Sequence, residues 1–330
     1  GEVSQLVYNG GATRTQKQLI KAQSAVQAQA VETQLYALKQ RVSNLYFGVL
    51  LIDAQLSQNQ LNVETVQSQL EKAEVALKNG TTLPSNVAEL KAELVRLAMR
   101  RTEYEATKAM YLQMLSTFIG KDLPSDTVLN RPKTTTLGTV NHRPELKGFD
   151  LQQSVLDIQK RQLTSEYLPK IGLFFQGAYG RPTLNIIKNE FDFYYIAGVR
   201  LQWNLSPLYS LSNRKQLLQL QGESLSADRK AFLMSTELDL TQQQTQISKL
   251  QRLMEQDKES VALRHSVAQA AQVQLDNGVI TTHEYLQKVN AWHLAQQTLL
   301  LHKIQLLQAQ ENQKLINGQS SPNPSQGGEL

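Results

Sequence analysis

The sequence predicts a mainly α protein of long antiparallel coiled-coil helical hairpins in two repeats offset by 198 residues, with a short β-strand segment. Three observations predict it. Apolar residues recur in alternating steps of three and four, a heptad stripe that no strand can produce. From Ala12 to Lys78 there is no proline and one internal glycine, Gly48. The same stripes and the same stops then recur at one offset, as a duplicated subdomain would give.

Composition agrees. The chain has 330 residues, 34 basic and 29 acidic, with 17 glycines, 9 prolines and 41 glutamines. Its length suggests about two domains. A net charge of +5 is small for this size and gives no reason to expect nucleic acid as a partner. The absence of cysteine excludes disulfide scaffolds, Cys-zinc sites and thiol nucleophiles. Abundant Gln, Leu and Ala favour long helices with wet, uncharged flanks. No run of 18 apolar residues occurs, so no transmembrane helix is expected. The chain opens at Gly1-Glu2-Val3 in mid-pattern and without a signal peptide, as one cut from a longer protein would.

The first long helix is expected over 12–78. Its stripe runs Ala28, Val31, Leu35, Leu38, Val42, Leu45, Val49, Ile52, Leu56, then Val63, Val66, Leu70, Ala73 and Leu77, with Asn59 interrupting it. Such a helix is on the order of 100 Å long, so it must lie along a partner of similar length. The second long helix, 208–276, carries Leu233, Leu240, Ile247, Met254, Val261, Ala268 and Leu275 at strict sevens. That spacing imposes a left-handed supercoil. Its companion positions include Thr236, Gln243 and Asp257, so its apolar seam is narrower.

Lys78-Asn79-Gly80 and Asp276-Asn277-Gly278 stop these helices, since glycine can take the left-handed cap conformation. Further helices follow over 85–119 and 282–317, each closing a helical hairpin, and the two hairpins should pack side by side. Gly278 follows Gly80 by 198 residues, and Lys17-Gln18-Leu19 maps onto Lys215-Gln216-Leu217 at the same offset. Val3 maps onto Leu201. The second copy begins near Pro144, and the first copy is expected to lack roughly its first third.

A helix over 144–167 stops at Leu168-Pro169, and Ile171–Tyr179 reads as a strand. Gly180-Arg181-Pro182 breaks it, and a second strand is expected over Phe191–Leu205. There Val199, Leu201, Trp203 and Leu205 occupy one face, and Arg200, Gln202 and Asn204 the other. Alternation of this length with clustered aromatics is what a membrane β-barrel needs, although the pattern alone favours a soluble hairpin packed on the helices.

The order helix, strand, loop, strand, very long helix, Asn-Gly turn, helix, given twice, resembles the TolC-like outer membrane efflux proteins. Tyr-Leu-Pro-Lys at 167–170, Trp203-Asn204-Leu205, Tyr8-Asn9-Gly10-Gly11 and the two Asn-Gly turns carry the resemblance, which covers about residues 1 to 318. It implies a homotrimer in the outer membrane of a Gram-negative bacterium, with most of the chain in the periplasm. Each of three subunits would give four strands to one barrel, and the helices would build a tunnel that passively conducts drugs or other exported substrates. A periplasmic adaptor (membrane fusion) protein and an inner-membrane pump are the implied partners, together with outer-membrane lipid. The implied division is a first repeat over 1–120, an equatorial linker over 121–143, a second repeat over 144–318 and a disordered tail over 319–330. With one strand of the four missing, the strand pair is expected to be detached or irregularly paired.

The resemblance also implies sites. Asn79, Gly80 and Thr81, with Asn277, Gly278 and Val279, would form the periplasmic tips that meet the adaptor. The tunnel would narrow where acidic residues ring the lumen, and the matching position is Glu284, with Gln287 on the next turn. Three Glu284 carboxylates on one axis would raise each other's pKa and favour cations. Ile280 and Asn86 stand where the family's closing latch would be, so closure by apolar packing and hydrogen bonds is expected. Glu284 is equally an ordinary first-turn acid favoured by the helix dipole.

Searches for other chemistry find little. His283-Glu284 lacks the second histidine of a zinc-protease motif, and His283, His293 and His302 stand at spacings of ten and nine. Gly10-Gly11-Ala12-Thr13 lacks the lysine of a phosphate loop. Arg96, Arg100 and Arg101, with Glu93, Glu103 and Glu105 nearby, read as a solvated face. No enzyme, cofactor or metal is expected. The competing reading is a soluble periplasmic coiled-coil adaptor or scaffold protein, which leaves the duplication unexplained.

Overall fold

A computed structural model describes residues 1–132, 141–181, 183, 187 and 190–319. The core of the expected linker, 133–140, and the expected tail from 320 onward lie outside the described residues. The elements run β1 (Glu2–Tyr8), α1 (Ala12–Lys78), α2 (Pro84–Ile119), α3 (Pro144–Glu166), β2 (Lys170–Gly180), β3 (Asp192–Gln202), α4 (Pro207–Asp276) and α5 (Thr282–Ile316). The protein is therefore mostly helical with one small antiparallel sheet. Each expected helix is present to within a residue or two. The compact units divide the long helices rather than separating the expected repeats. One comprises Gly1–Gln34 and Arg143–Ser235, and the other Leu35–His142 with the chain from Thr236 onward.

In the first unit the strands form a sheet in the order β1-β2-β3. β2 and β3 pair without a break from Lys170↔Gln202 to Gly180↔Asp192. β1 pairs with β2 from Glu2↔Gln176 to Tyr8↔Ile171, with one shift of register between Leu6 and Tyr8. The expectation of a detached strand pair is thus corrected, because β1 supplies β2 with a second hydrogen-bonded neighbour. β3 also stops earlier than expected. Asn204 Oδ1 accepts from Ser206 N at 3.0 Å, an Asx turn that carries the chain into Pro207 at the start of α4. Trp203 and Leu205 therefore follow the strand. Trp203 Nε1 donates to Tyr167 O at 2.8 Å, tying β3's end to the end of α3.

α3 packs beside the first turns of both long helices. Gln29 Nε2 donates to Pro144 O at 3.0 Å and Gln162 Nε2 to Gln16 Oε1 at 3.2 Å. On its other side Arg214 forks onto Glu166, and Phe149 meets Phe232 at 5.9 Å between ring centroids. Ile158 and Leu163 of α3, Leu19 of α1 and Leu218 of α4 are buried there.

In the second unit segments of α1, α2, α4 and α5 pack side by side. Val49 is fully buried with Leu112 and Leu115, and Phe47 and Leu50 bury against Ile304. Gly48 is explained by its neighbour: a Cβ there would stand 2.9 Å from the Tyr111 ring. Asn59, the break in the α1 stripe, is 1% exposed, and its amide donates to Leu97 O of α2 at 3.1 Å. Asp257, a polar companion position of α4, meets His302 of α5 at 2.5 Å. The glutamines work between helices as well as on wet flanks. Gln58 bonds Gln296, Gln313 bonds Gln244 and Gln40 bonds Asn312, each at 2.8 Å.

Candidate functional site

Two surfaces stand out, and the first is the sheet. Pairing places Val3, Ile171, Leu173, Phe175, Tyr179, Phe193, Tyr195, Val199 and Leu201 on one face. Nothing in the described residues covers it: Phe193 is 80% exposed, Val199 67% and Leu201 65%. Its aromatics touch one another, with Phe175 and Tyr195 stacked at 6.2 Å and Tyr179 and Phe193 tilted at 4.7 Å between ring centroids. The other face mixes Glu2, Ser4, Gln176, Arg200 and Gln202 with Leu6, Phe174, Tyr194 and Ile196. Arg200 lies over the Phe174 ring at 5.0 Å and reaches Glu2 at 3.9 Å across the intervening strand. One face is thus apolar apart from Gln5 and the other is more polar, so the sheet is amphipathic and lacks a partner for the first face. No described helix is long and apolar enough to cross a membrane.

The second surface is the pair of hairpin tips. Gly80 and Gly278 have φ of 68° and 69°, values that favour glycine. Gly80 N bonds Leu77 O at 3.0 Å and Thr81 N bonds Ala76 O at 2.9 Å. Gly278 N bonds Leu275 O at 2.9 Å and Val279 N bonds Gln274 O at 2.8 Å. These are the same cap, closing the last carbonyls of each long helix. Asn79, Gly80, Thr81, Asn277, Gly278 and Val279 are all exposed. Beneath them one core joins all four helices through Leu70, Leu90, Ala271, Tyr285 and Val289. Burial, then the nearby Asp276 charge, pushes the Tyr285 hydroxyl up to about 12.

The expected gate residues are distributed around this core. Ile280 packs against it. Asn86 Nδ2 donates to Thr82 Oγ1 at 2.9 Å, within its own turn. Glu284 is exposed and closes a capping box. Its Oε2 accepts from Thr281 N at 2.8 Å and Thr281 Oγ1 at 3.0 Å, while Glu284 N donates to Thr281 Oγ1 at 3.2 Å. Those hydrogen bonds, backbone first, hold the carboxyl below its ordinary range. Gln287 meets His283 at 2.9 Å, and His283 faces Glu89 at 3.9 Å.

Sequence reading missed an interior polar cluster. Arg101 pairs with Glu105 on an exposed surface, as the solvated-face reading requires. Arg96 differs: it forks onto Glu93, which is 8% exposed, and reaches Asn290 of α5 at 3.1 Å. His293 is 5% exposed beside them, and burial lowers its pKa to about 4. The Glu93–Arg96 spacing of three was the available signal. Among the described residues no group of three or more His, Asp or Glu could hold a metal ion.

The arrangement of sheet, long helices and capped hairpins is the TolC-like outer-membrane channel fold. Solved structures of three such channels match nearly the whole chain. The outer-membrane channel OprN matches with a TM-score of 0.73 at 14% identity, over 97% of this chain and 74% of its own. The CmeC channel of Campylobacter jejuni matches at 0.69 and 12%, over 98% and 72%. VceC of Vibrio cholerae matches at 0.72 and 13%, over 96% and 78%. No family profile and no curated protein sequence matches the chain. At these identities the likeness shows the fold.

Proposed function

We propose that this chain is a subunit of an outer-membrane channel, the passive conduit of a tripartite efflux or secretion system in a Gram-negative bacterium. The observation that carries the reading is the sheet's uncovered apolar face, backed by a more polar one. A soluble adaptor or scaffold has no use for such a face, whereas a barrel wall between lipid and water requires it. The structural likeness to OprN, CmeC and VceC supports the same reading.

In this account three copies form one barrel, in which the fourth strand implied for each subunit lies between the free edge of β1 and that of a neighbouring copy's β3, edges that would otherwise be open templates for pairing. The long helices of the three copies form the periplasmic tunnel by coiled-coil pairing. The matching caps at Gly80 and Gly278 are the ends of two duplicated hairpins and form the surface that meets an adaptor, which links the tunnel to an inner-membrane pump. Glu284 and Gln287 ring the lumen near the tip, with Ile280 and Asn86 in the packing that closes it. The polar sheet face, with Arg200 and Gln202, lines the barrel interior.

Quenching of Trp203 by brominated lipid tests the placement. In a Trp292→Phe background Trp203 is the sole indole, immediately after the last residue of β3. Strong quenching in vesicles is the expected result, and fluorescence indifferent to the lipid would count against a barrel.

A further inference from the structure

A cavity of about 200 Å³ opens between α1, α2 and α5, lined by Asn62, Arg96, Arg100, Asn290, His293 and Gln297. All its polar walls come from the second compact unit. It has room for several waters at ~30 Å³ each, or for a small ion with some of its hydration.

The donor and acceptor balance of this cavity is one-sided. Arg96 can only donate, so its 3.1 Å bond to Asn290 Oδ1 fixes that amide's orientation and leaves the Asn290 NH2 group free. Asn62 is 2% exposed, and its Oδ1 already accepts from Gln58 at 3.1 Å, so its NH2 group is likewise uncommitted. Glu93, whose carboxylate pairs with Arg96 of the cavity wall, has both oxygens taken by it. Arg100 is half-buried and makes no ion pair among the described residues. His293, 5% exposed, makes no side-chain hydrogen bond among them. The cavity thus gathers two guanidinium groups, two uncommitted amide NH2 groups, the Gln297 amide and an imidazole, while the Glu93 carboxylate beside it is already occupied. A guanidinium without an ion pair, flanked by directed NH2 donors, is a site that an anion satisfies.

We infer that this cavity is a binding site for a small oxyanion, an inorganic phosphate or the carboxylate of a small solute. Arg100 supplies the charge, and the NH2 groups of Asn62 and Asn290 supply directed hydrogen bonds. Arg96 holds Asn290 in place and is a positioning residue, because its own charge is spent on Glu93. The inference stands on the helical packing of one unit and does not depend on the channel reading.

Calorimetric titration of the full chain with phosphate, and separately with acetate, tests it at neutral pH. Saturable binding of one anion per chain is expected, and the better of the two names the source. Arg100→Gln should weaken that binding roughly tenfold or more, the loss of one charge-assisted pair. Arg100 makes no ion pair among the described residues, so the variant should fold, and circular dichroism checks that it does. Gln297→Leu, which removes a wall group and no charge, is the second variant and should weaken binding less. No saturable binding of either anion, or Arg100→Gln binding as the wild type does, would overturn the inference.

Discussion

Gly10 and Leu168 meet so closely that a Cβ on Gly10 would stand 2.7 Å from the Cβ of Leu168, and 2.9 Å from the carbonyl oxygen of Ser165. Gly10 also holds φ at 68°. The turn from β1 into α1 is thereby pressed against the turn from α3 into β2, and the two turns fix how the sheet leaves the helices of its unit. Gly10→Ala should cost about 1–3 kcal/mol from backbone strain and collision together. Gly11, at φ 79° with open space around it, is the control, and alanine there should cost only the strain, about 1–2 kcal/mol. Denaturant unfolding of the two variants separates these terms.

Burial of His293 makes stability depend on pH in a defined window. Its pKa is lowered from 6.5 to about 4, first by burial and then by the balance of Glu93, which raises it, and Arg96, which lowers it. Between those values the unfolded chain binds the proton and the folded chain does not. The stabilisation is fully present above about pH 6.5 and is lost as pH falls toward about 4, by ~3 kcal/mol in all. His293→Phe should flatten this part of the stability curve relative to wild type. An unchanged slope between those pH values would mean that His293 is not buried as described.

The two faces of the sheet should respond differently to charge. Val199→Arg places a guanidinium on the apolar face and should cost ~2–4 kcal/mol in a bilayer if the site lies near its midplane. Gln202→Arg, on the polar face, should cost much less. Reversible folding into vesicles measures both, and equal costs would contradict the assignment of the faces.

Glu284 has one role that the structure describes and a second that the channel reading adds. The described role is the capping box with Thr281. Because the folded carboxyl is held low, the cap's contribution is present above the ordinary carboxylate range and fades as pH falls through the lowered value. Thr281→Ala removes the hydroxyl's bond and keeps the backbone N–H bond, so it should reduce that pH dependence, and Glu284→Gln should remove it. The added role is a ring of carboxylates in a trimer, which Glu284→Gln would abolish with loss of cation selectivity and of divalent block. Selectivity and block unaltered by Glu284→Gln would leave the cap as its whole function.

Much of this fold is legible in the sequence, and the reasons are local. Pro84, Pro144 and Pro207 mark helix starts, Gly80 and Gly278 mark stops, and the heptad stripe between them needs no knowledge of the partner. The end of β3 was less legible, since alternation continues through Trp203 and Leu205 while Asn204 and Pro207 already turn the chain. Interior polar residues were least legible. Asn59, Arg96 and His293 look like flaws in a stripe or parts of a wet face until the neighbouring helix supplies Leu97 O and Asn290. Those pairings depend on how the helices are set against one another, which no periodicity within one helix records. The Thr281–Glu284 box was written in the sequence as a threonine three residues before a glutamate. It was read only as an acid near a helix start.

The central claim, that this chain forms a channel, is tested most directly by planar-bilayer conductance of the full-length protein. The account predicts stable, long-lived conductance steps from a trimeric species, lost or destabilised when Val199 is changed to Arg. Folded, full-length protein that stays in the aqueous phase and gives no steps would contradict it.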